Sequence, residues 1–137
     1  MRGLTFQGIE QVRLQSVPDP IVVDPRDAIV RTQLTAICGS DLHVYHGRET
    51  GLDPGTVLGH EFMGEVAEIG SDVGHFRIGD SVVSPFSSSC GSGFDCERGL
   101  SARWDQGPLF GWGEAGQGLH GALAESVRVP LADSTLV

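Results

Sequence analysis

Two stretches, Cys38-Gly-Ser-Asp-Leu-His43 and Gly59-His60-Glu61, decide how this sequence folds and where its chemistry lies. Their thiol, imidazole and carboxylate groups are ligand types that a zinc ion accepts, and catalytic zinc sites combine three protein ligands with one open position. The spacing is not that of a zinc finger, so the sequence alone leaves open whether Cys38 and His60 meet. Taken singly, Cys38 is equally typical of a small buried apolar residue, and His60-Glu61 of a solvated loop pair.

The segments around these stretches predict a mainly β fold. Short alternating or β-branched runs between turn signals indicate strands, at Leu4–Phe6, Gln11–Ser16, Ala28–Ala36, Gly64–Ile69, Ser81–Ser84 and Ala124–Val129. The 20 glycines among 137 residues suit the turns and bulges of β structure. One short helix is predicted at Ser40–Tyr45, with Ser40 or Asp41 as its N-cap.

Composition excludes several classes of partner. The formal net charge is -9, with 18 acidic residues against 9 basic ones, so the positive patch that nucleic-acid binding needs is missing. No apolar run approaches the roughly 18 residues of a membrane helix, and the N-terminal residues lack the pattern of a secretion signal. We therefore expect a cytoplasmic protein without nucleic-acid or membrane partners. Its 3 cysteines are too few for a disulfide framework and favour metal binding.

Further motifs follow the two stretches in a fixed order, and together they resemble one family. They are Gly64-x-Val66-x-x-x-Gly70, Arg77-Ile-Gly-Asp80-x-Val82, Gly121-Ala-Leu-Ala-Glu125 and Pro130-Leu-Ala-Asp133. The succession resembles the zinc-dependent alcohol dehydrogenases, also called medium-chain dehydrogenases, over nearly the whole chain. The resemblance implies that residues 1–137 form one GroES-like catalytic domain, a partly open β-barrel with one or two short helices and a long irregular lobe.

The resemblance also implies roles for the residues of the two stretches. Cys38 and His60 would be zinc ligands, and Glu61 would be either a third ligand or a group that exchanges with zinc-bound water. Zinc would polarise an alcohol oxygen for hydride transfer to NAD(P). The Ser40 hydroxyl would accept a hydrogen bond from the alcohol, and His43 would pass the proton to solvent.

Asp41 has two interpretations that the sequence does not separate. By resemblance it is the carboxylate behind the zinc ligands, which orients the ligand imidazole and raises its basicity. By local pattern it is a helix-capping aspartate.

A second group of cysteines departs from the family pattern. The family's structural zinc lobe has four cysteines in the order C-x2-C-x2-C-x7-C, whereas this chain places Cys90, Gly93, Cys96 and Trp104 at those positions. Glycine and tryptophan offer no metal ligand, so a site of four thiolates cannot assemble. We expect a degenerate lobe with two unpaired thiols, or a disulfide if they are oxidised. No strand is predicted from Ser87 to Gly118.

The sequence shows no cofactor-binding residues. A dinucleotide fingerprint must follow a strand and open a helix. The glycine-rich segment 111–118 has no such context in the sequence. By resemblance, NAD(P) would be bound by a Rossmann domain that is absent from these residues. We therefore expect a substrate domain for a small alcohol or polyol that is inactive alone.

Two alternative functions remain open at this stage. The first is a non-enzymatic GroES-like scaffold or oligomerising module derived from a dehydrogenase, which would self-associate through the exposed face of its barrel. The second, a zinc-independent quinone or enoyl reductase, is disfavoured because such relatives generally lack the cysteine and histidine ligands found here.

Overall fold

The computed structural model describes residues 1–104 and 107–137. Within them the strands are β1 (Arg2–Gly8), β2 (Gln11–Ser16), β3 (Ala28–Thr35), β4 (Phe62–Ile69), β5 (Ser81–Ser84), β6 (Trp112–Glu114), β7 (Gln117–Leu119) and β8 (Ser126–Val129). The α-helices are α1 (Gly39–Tyr45) and α2 (Ala132–Thr135), and short 3-10 helices span Cys96–Arg98 and Ser101–Arg103. The predicted mainly β fold is confirmed.

An antiparallel sheet in the order β5-β4-β3-β8 forms the centre of the domain. Its core face is built by alternation, because successive side chains of a strand point to opposite faces. Val30 of β3 pairs with Val127 of β8 and with Val66 of β4, and all three side chains are buried. Phe110 closes this core with an edge-to-face contact to Phe62, at a ring-centroid distance of 5.2 Å.

A second apolar cluster fixes α1 against the β1–β2 hairpin. Val44 is the buried residue of α1, and it shares a cluster with Phe6 of β1 and with Leu52 and Leu58 of the following loop. Backbone hydrogen bonds join the same loop to β1, including Leu58 N–H to the carbonyl of Leu4 at 3.0 Å. The helix is therefore held in place by packing, since seven residues are too few for a helix to be stable alone.

Two local predictions are corrected by the structure. The helix begins at Gly39, and its N-cap is Cys38 instead of Ser40 or Asp41. The segment predicted to lack strands contains the β6–β7 hairpin, which turns through Ala115 and Gly116 at φ values of 52° and 74°. Two successive residues with positive φ suit a tight hairpin, but alanine is an uncommon residue there, which hid the turn.

The helices and the exposed surface bear on the expectations about membranes and self-association. No helix among the described residues is long and apolar enough to cross a bilayer. Leu34, Ile78 and Val83 are exposed large apolar side chains. Self-association through this surface stays a prediction.

Candidate metal centre and substrate pocket

Pairing of β3 with β4 brings Cys38 and His60 together. Thr35, near the end of β3, lies opposite Phe62 at the start of β4, and Ala36 N–H donates to the Glu61 carbonyl at 3.0 Å. The residue after β3 and the residue before β4 therefore lie side by side. The resulting distance from Cys38 Sγ to His60 Nε2 is 3.1 Å.

Gly59 forms the turn that positions His60 at this site. Its φ is 95°, in the left-handed region that side chains rarely adopt, and an added Cβ would lie 2.8 Å from the backbone nitrogen of Leu123. Only glycine fits this backbone and this contact. The turn before β4 is thus part of the site's construction.

The Cys38 thiol lies at the start of α1 and is partly buried. Its sulfur is 3.1 Å from Ser40 Oγ and accepts a hydrogen bond from the Ser40 backbone N–H at 3.3 Å. The Ser40 hydroxyl and then its backbone N–H lower the pKa of the Cys38 thiol, with a smaller lowering from His60, against the raising effect of burial. These contacts favour the thiolate, which is the form that binds metals.

Each carboxylate oxygen of Asp41 contacts a different partner. Oδ2 accepts the backbone N–H of Cys38 at 2.9 Å, which caps the helix. Oδ1 lies 3.4 Å from Nδ1 of His60, on the side of the ring opposite the cysteine sulfur. The capping contact of this side chain, which is 10% exposed, is thus observed, whereas its role in orienting a ligand imidazole stays a prediction.

The donor set fits a zinc ion. Among the described residues, ligand atoms of Cys38, Asp41 and His60 all lie within 4.8 Å of one another. Bonds of about 2.3 Å to sulfur and 2.0–2.1 Å to nitrogen would separate two tetrahedral ligands by about 3.5 Å, against 3.1 Å from Cys38 to His60 here. A small outward rotation of these side chains admits the ion.

The other expected site residues lie at the edge of this centre. Glu61 lines the same pocket but is not part of the group within 4.8 Å. His43 is exposed, one helical turn after Ser40, with its Nδ1 atom 3.7 Å from Glu49 Oε1. The roles expected for Glu61 and His43 stay predictions.

Cys38, Asp41 and His60 all line a pocket of about 400 Å³. Cys38, Ser40 and His60 form part of its polar side. Apolar side chains line much of the remainder, among them Phe86, Leu109, Phe110 and Trp112. Leu109, Phe110 and Trp112 were not predicted as pocket residues, because they lie in the segment predicted to be irregular.

The four positions of the degenerate lobe also converge. Cys90 Sγ and Cys96 Sγ are 3.6 Å apart, and an added Cβ at Gly93 would lie 3.2 Å from Cys90 Sγ and 4.0 Å from Cδ1 of Trp104. Of the four positions to which the family resemblance assigns zinc ligands, Gly93 and Trp104 lack a donor atom. Zinc coordination by four thiolates does not fit these residues.

Comparisons with known proteins agree with this geometry. The family model described as alcohol dehydrogenase GroES-like domain matches residues 24–137. The whole chain is 44% identical to 46% of a medium-chain reductase/dehydrogenase from an Acremonium species, and 43% identical to 31% of zinc-type alcohol dehydrogenase B from Aspergillus flavus. The solved alcohol dehydrogenase from Thermus sp. ATN1 matches all of this chain with 39% of its own, at 41% identity and a TM-score of 0.93. The chain thus spans less than half the length of these relatives.

Proposed function

This chain belongs to the medium-chain zinc-dependent alcohol dehydrogenase family as its GroES-like domain, and from that membership we propose that it binds zinc and substrate in an enzyme that oxidises a small alcohol or polyol. The observation that carries the proposal is the 3.1 Å approach of Cys38 Sγ to His60 Nε2 at the base of a pocket. These are the two residues to which the family resemblance assigns zinc.

Cys38 and His60 would hold the ion, with Glu61 at the rim as the candidate third ligand. Zinc supplies Lewis acidity, which lowers the pKa of a bound alcohol. With Asp41 Oδ1 3.4 Å from Nδ1 of His60, we expect the Nδ1 proton to lie on the Asp41 side when zinc is bound, which leaves Nε2 free to coordinate the ion. The backbone bond from Cys38 to Asp41 holds the same carboxylate in position.

We propose that Ser40 receives the substrate proton. Its hydroxyl lines the pocket, 3.1 Å from the Cys38 sulfur, and is exposed toward solvent. We assign to Ser40 Oγ the hydrogen bond from the alcohol, and to His43 the transfer to bulk water. The apolar wall contributed by Phe86 and Trp112 faces the carbon skeleton of the substrate and limits the access of water.

We place the hydride acceptor site outside these 137 residues. Every strand pair that the structure describes is antiparallel, whereas a dinucleotide site of the Rossmann type needs parallel strands joined by a helix. NAD(P) would supply the hydride acceptor when bound by another part of the protein. The chain aligns with less than half of the length of its relatives, which supports a separate site for NAD(P).

Zinc quantification on three variants tests the proposal. We expect one equivalent in the wild type and none in Cys38→Ala or His60→Ala, because each variant removes one of the two donors that meet. Cys96→Ser is the matched control, since it removes a thiol in the degenerate lobe and should keep the full equivalent. Equal metal contents in all four proteins would contradict the site and favour the scaffold function.

A further inference from the structure

Cys90 and Cys96 form a pair of thiols that the proposed oxidation of alcohols does not use. Their sulfurs are 3.6 Å apart, which is van der Waals contact, and neither is bonded to another cysteine. The two residues flank a short loop between β5 and β6, with Cys96 opening a 3-10 helix. The proposed function therefore gives the two thiols of this loop no role.

The local backbone holds the two sulfurs in contact. Gly91, directly after Cys90, adopts a φ of 71°, in the left-handed region that favours glycine. Gly93 then donates its backbone N–H to Cys90 Sγ at 3.2 Å, and its carbonyl accepts the N–H of Glu97 at 2.9 Å. Gly93 is thereby hydrogen-bonded both to the Cys90 sulfur and to the 3-10 helix that contains Cys96.

The base of the loop is anchored to the core. Ser89 is buried, and its backbone N–H donates to Thr135 Oγ1 of α2 at 3.0 Å. Cys90 therefore starts from a fixed position. Both cysteines also line a cavity of about 460 Å³ open to solvent, which gives a small reagent access to the sulfurs.

We propose that Cys90 and Cys96 are a reactive dithiol that small-molecule disulfides, such as oxidised glutathione, convert to an intrachain disulfide. The sulfurs need to approach from 3.6 Å to about 2.05 Å. Rotation of the two side chains supplies that movement without requiring the anchored backbone to unfold. With glycine at position 93, no third thiolate is available to hold the pair open on a metal.

The reaction is a two-step exchange in which Cys90 attacks first. Its thiolate forms a bond to one sulfur of the oxidant, whose S–S bond breaks and releases one small thiol. Cys96 then attacks the Cys90 sulfur of the mixed disulfide and releases the second small thiol. The two protein thiols lose two electrons and two protons, and the oxidant gains them.

Local hydrogen bonds support Cys90 as the attacking group. The backbone N–H of Ser92 and then that of Gly93 lower the pKa of the Cys90 thiol, against the raising effect of burial. A larger thiolate fraction near neutral pH speeds the attack on a disulfide.

Peptide mapping tests the proposal on the purified protein. The reduced protein is treated with oxidised glutathione, its remaining thiols are alkylated, and it is digested with trypsin. No arginine or lysine separates Cys90 from Cys96, so both fall in the peptide of residues 78–98. We expect this peptide unalkylated and about 2 Da below its reduced mass. Further cleavage before Asp95 should leave the two halves linked.

Two single variants separate the steps. Cys96→Ser should stop at a stable glutathione adduct on Cys90, and Cys90→Ser should form an adduct on Cys96 more slowly than Cys96→Ser forms one on Cys90. Alkylation of both cysteines in the treated wild type would overturn the proposal, as would glutathione adducts without the linked peptide. Loss of zinc binding at Cys38 would leave this result unchanged, so the test is independent of the proposed function.

Discussion

Replacement of Asp41 separates its two roles, because each carboxylate oxygen has a different partner. In Asp41→Asn the amide oxygen can still accept the N–H of Cys38, which Oδ2 now accepts at 2.9 Å. The amide NH₂ group then faces Nδ1 of His60, where Oδ1 now lies at 3.4 Å. A donor facing Nδ1 favours the His60 tautomer with its proton on Nε2, which removes the lone pair that a metal needs.

The expected magnitudes differ between two variants. Loss of a partner behind a metal ligand typically weakens metal affinity by 10–100-fold, or about 1.4–2.7 kcal/mol, and we expect this for Asp41→Asn. The zinc-free form of that variant should lose under about 0.5 kcal/mol, because the cap is kept. Asp41→Ala should show the same loss of affinity and an additional destabilisation of about 1 kcal/mol in the zinc-free protein.

Competition with a chromophoric zinc chelator measures the affinities, and urea unfolding of the zinc-free proteins measures the stabilities. A zinc Kd for Asp41→Asn within twofold of the wild type would refute the orienting role. A loss as complete as that of His60→Ala would show instead that Asp41 is itself a ligand. Equal stability of the zinc-free Asp41→Ala protein and the wild type would refute the capping role.

Two further predictions concern the core and the degenerate lobe. Phe110→Ala removes a side chain that is 2% exposed and should lower the free energy of unfolding in urea by about 3–5 kcal/mol; a loss below about 1 kcal/mol would contradict its place in the core. The double variant Gly93→Cys with Trp104→Cys should bind one zinc equivalent more than the wild type, because these positions converge beside Cys90 and Cys96. Unchanged zinc content, measured by metal analysis of the folded double variant, would show that the lobe has lost the geometry as well as the ligands.

The strands of the central sheet were largely predictable from the sequence. The strand expected at Ala28–Ala36 is observed at Ala28–Thr35, and Ser81–Ser84 is observed as predicted. The strand Ser81–Ser84 buries alternate side chains, whereas Ala28–Thr35 begins with three consecutive buried apolar residues, and both patterns are visible in the local sequence. The β6–β7 hairpin was missed because each strand has three residues, too few for a pattern to emerge.

The ends of α1 show the limit of local patterns more sharply. Ser40 and Asp41 are ordinary capping residues, and either was a reasonable N-cap. The structure uses the sulfur of Cys38 as the cap and turns the Asp41 carboxylate back to the Cys38 N–H. The position of β3 decides this outcome, because it fixes where the chain leaves the sheet.

The sequence by itself determined which chemical groups are available: one thiol with a serine and an aspartate close behind it, one histidine in a glycine turn, and a second lobe with two donors missing. Only the tertiary structure decided that Cys38 Sγ and His60 Nε2 lie 3.1 Å apart. The physical reason is that contact between residues on separate segments depends on strand register. The pairing of Thr35 with Phe62 arises from the packing of the whole sheet.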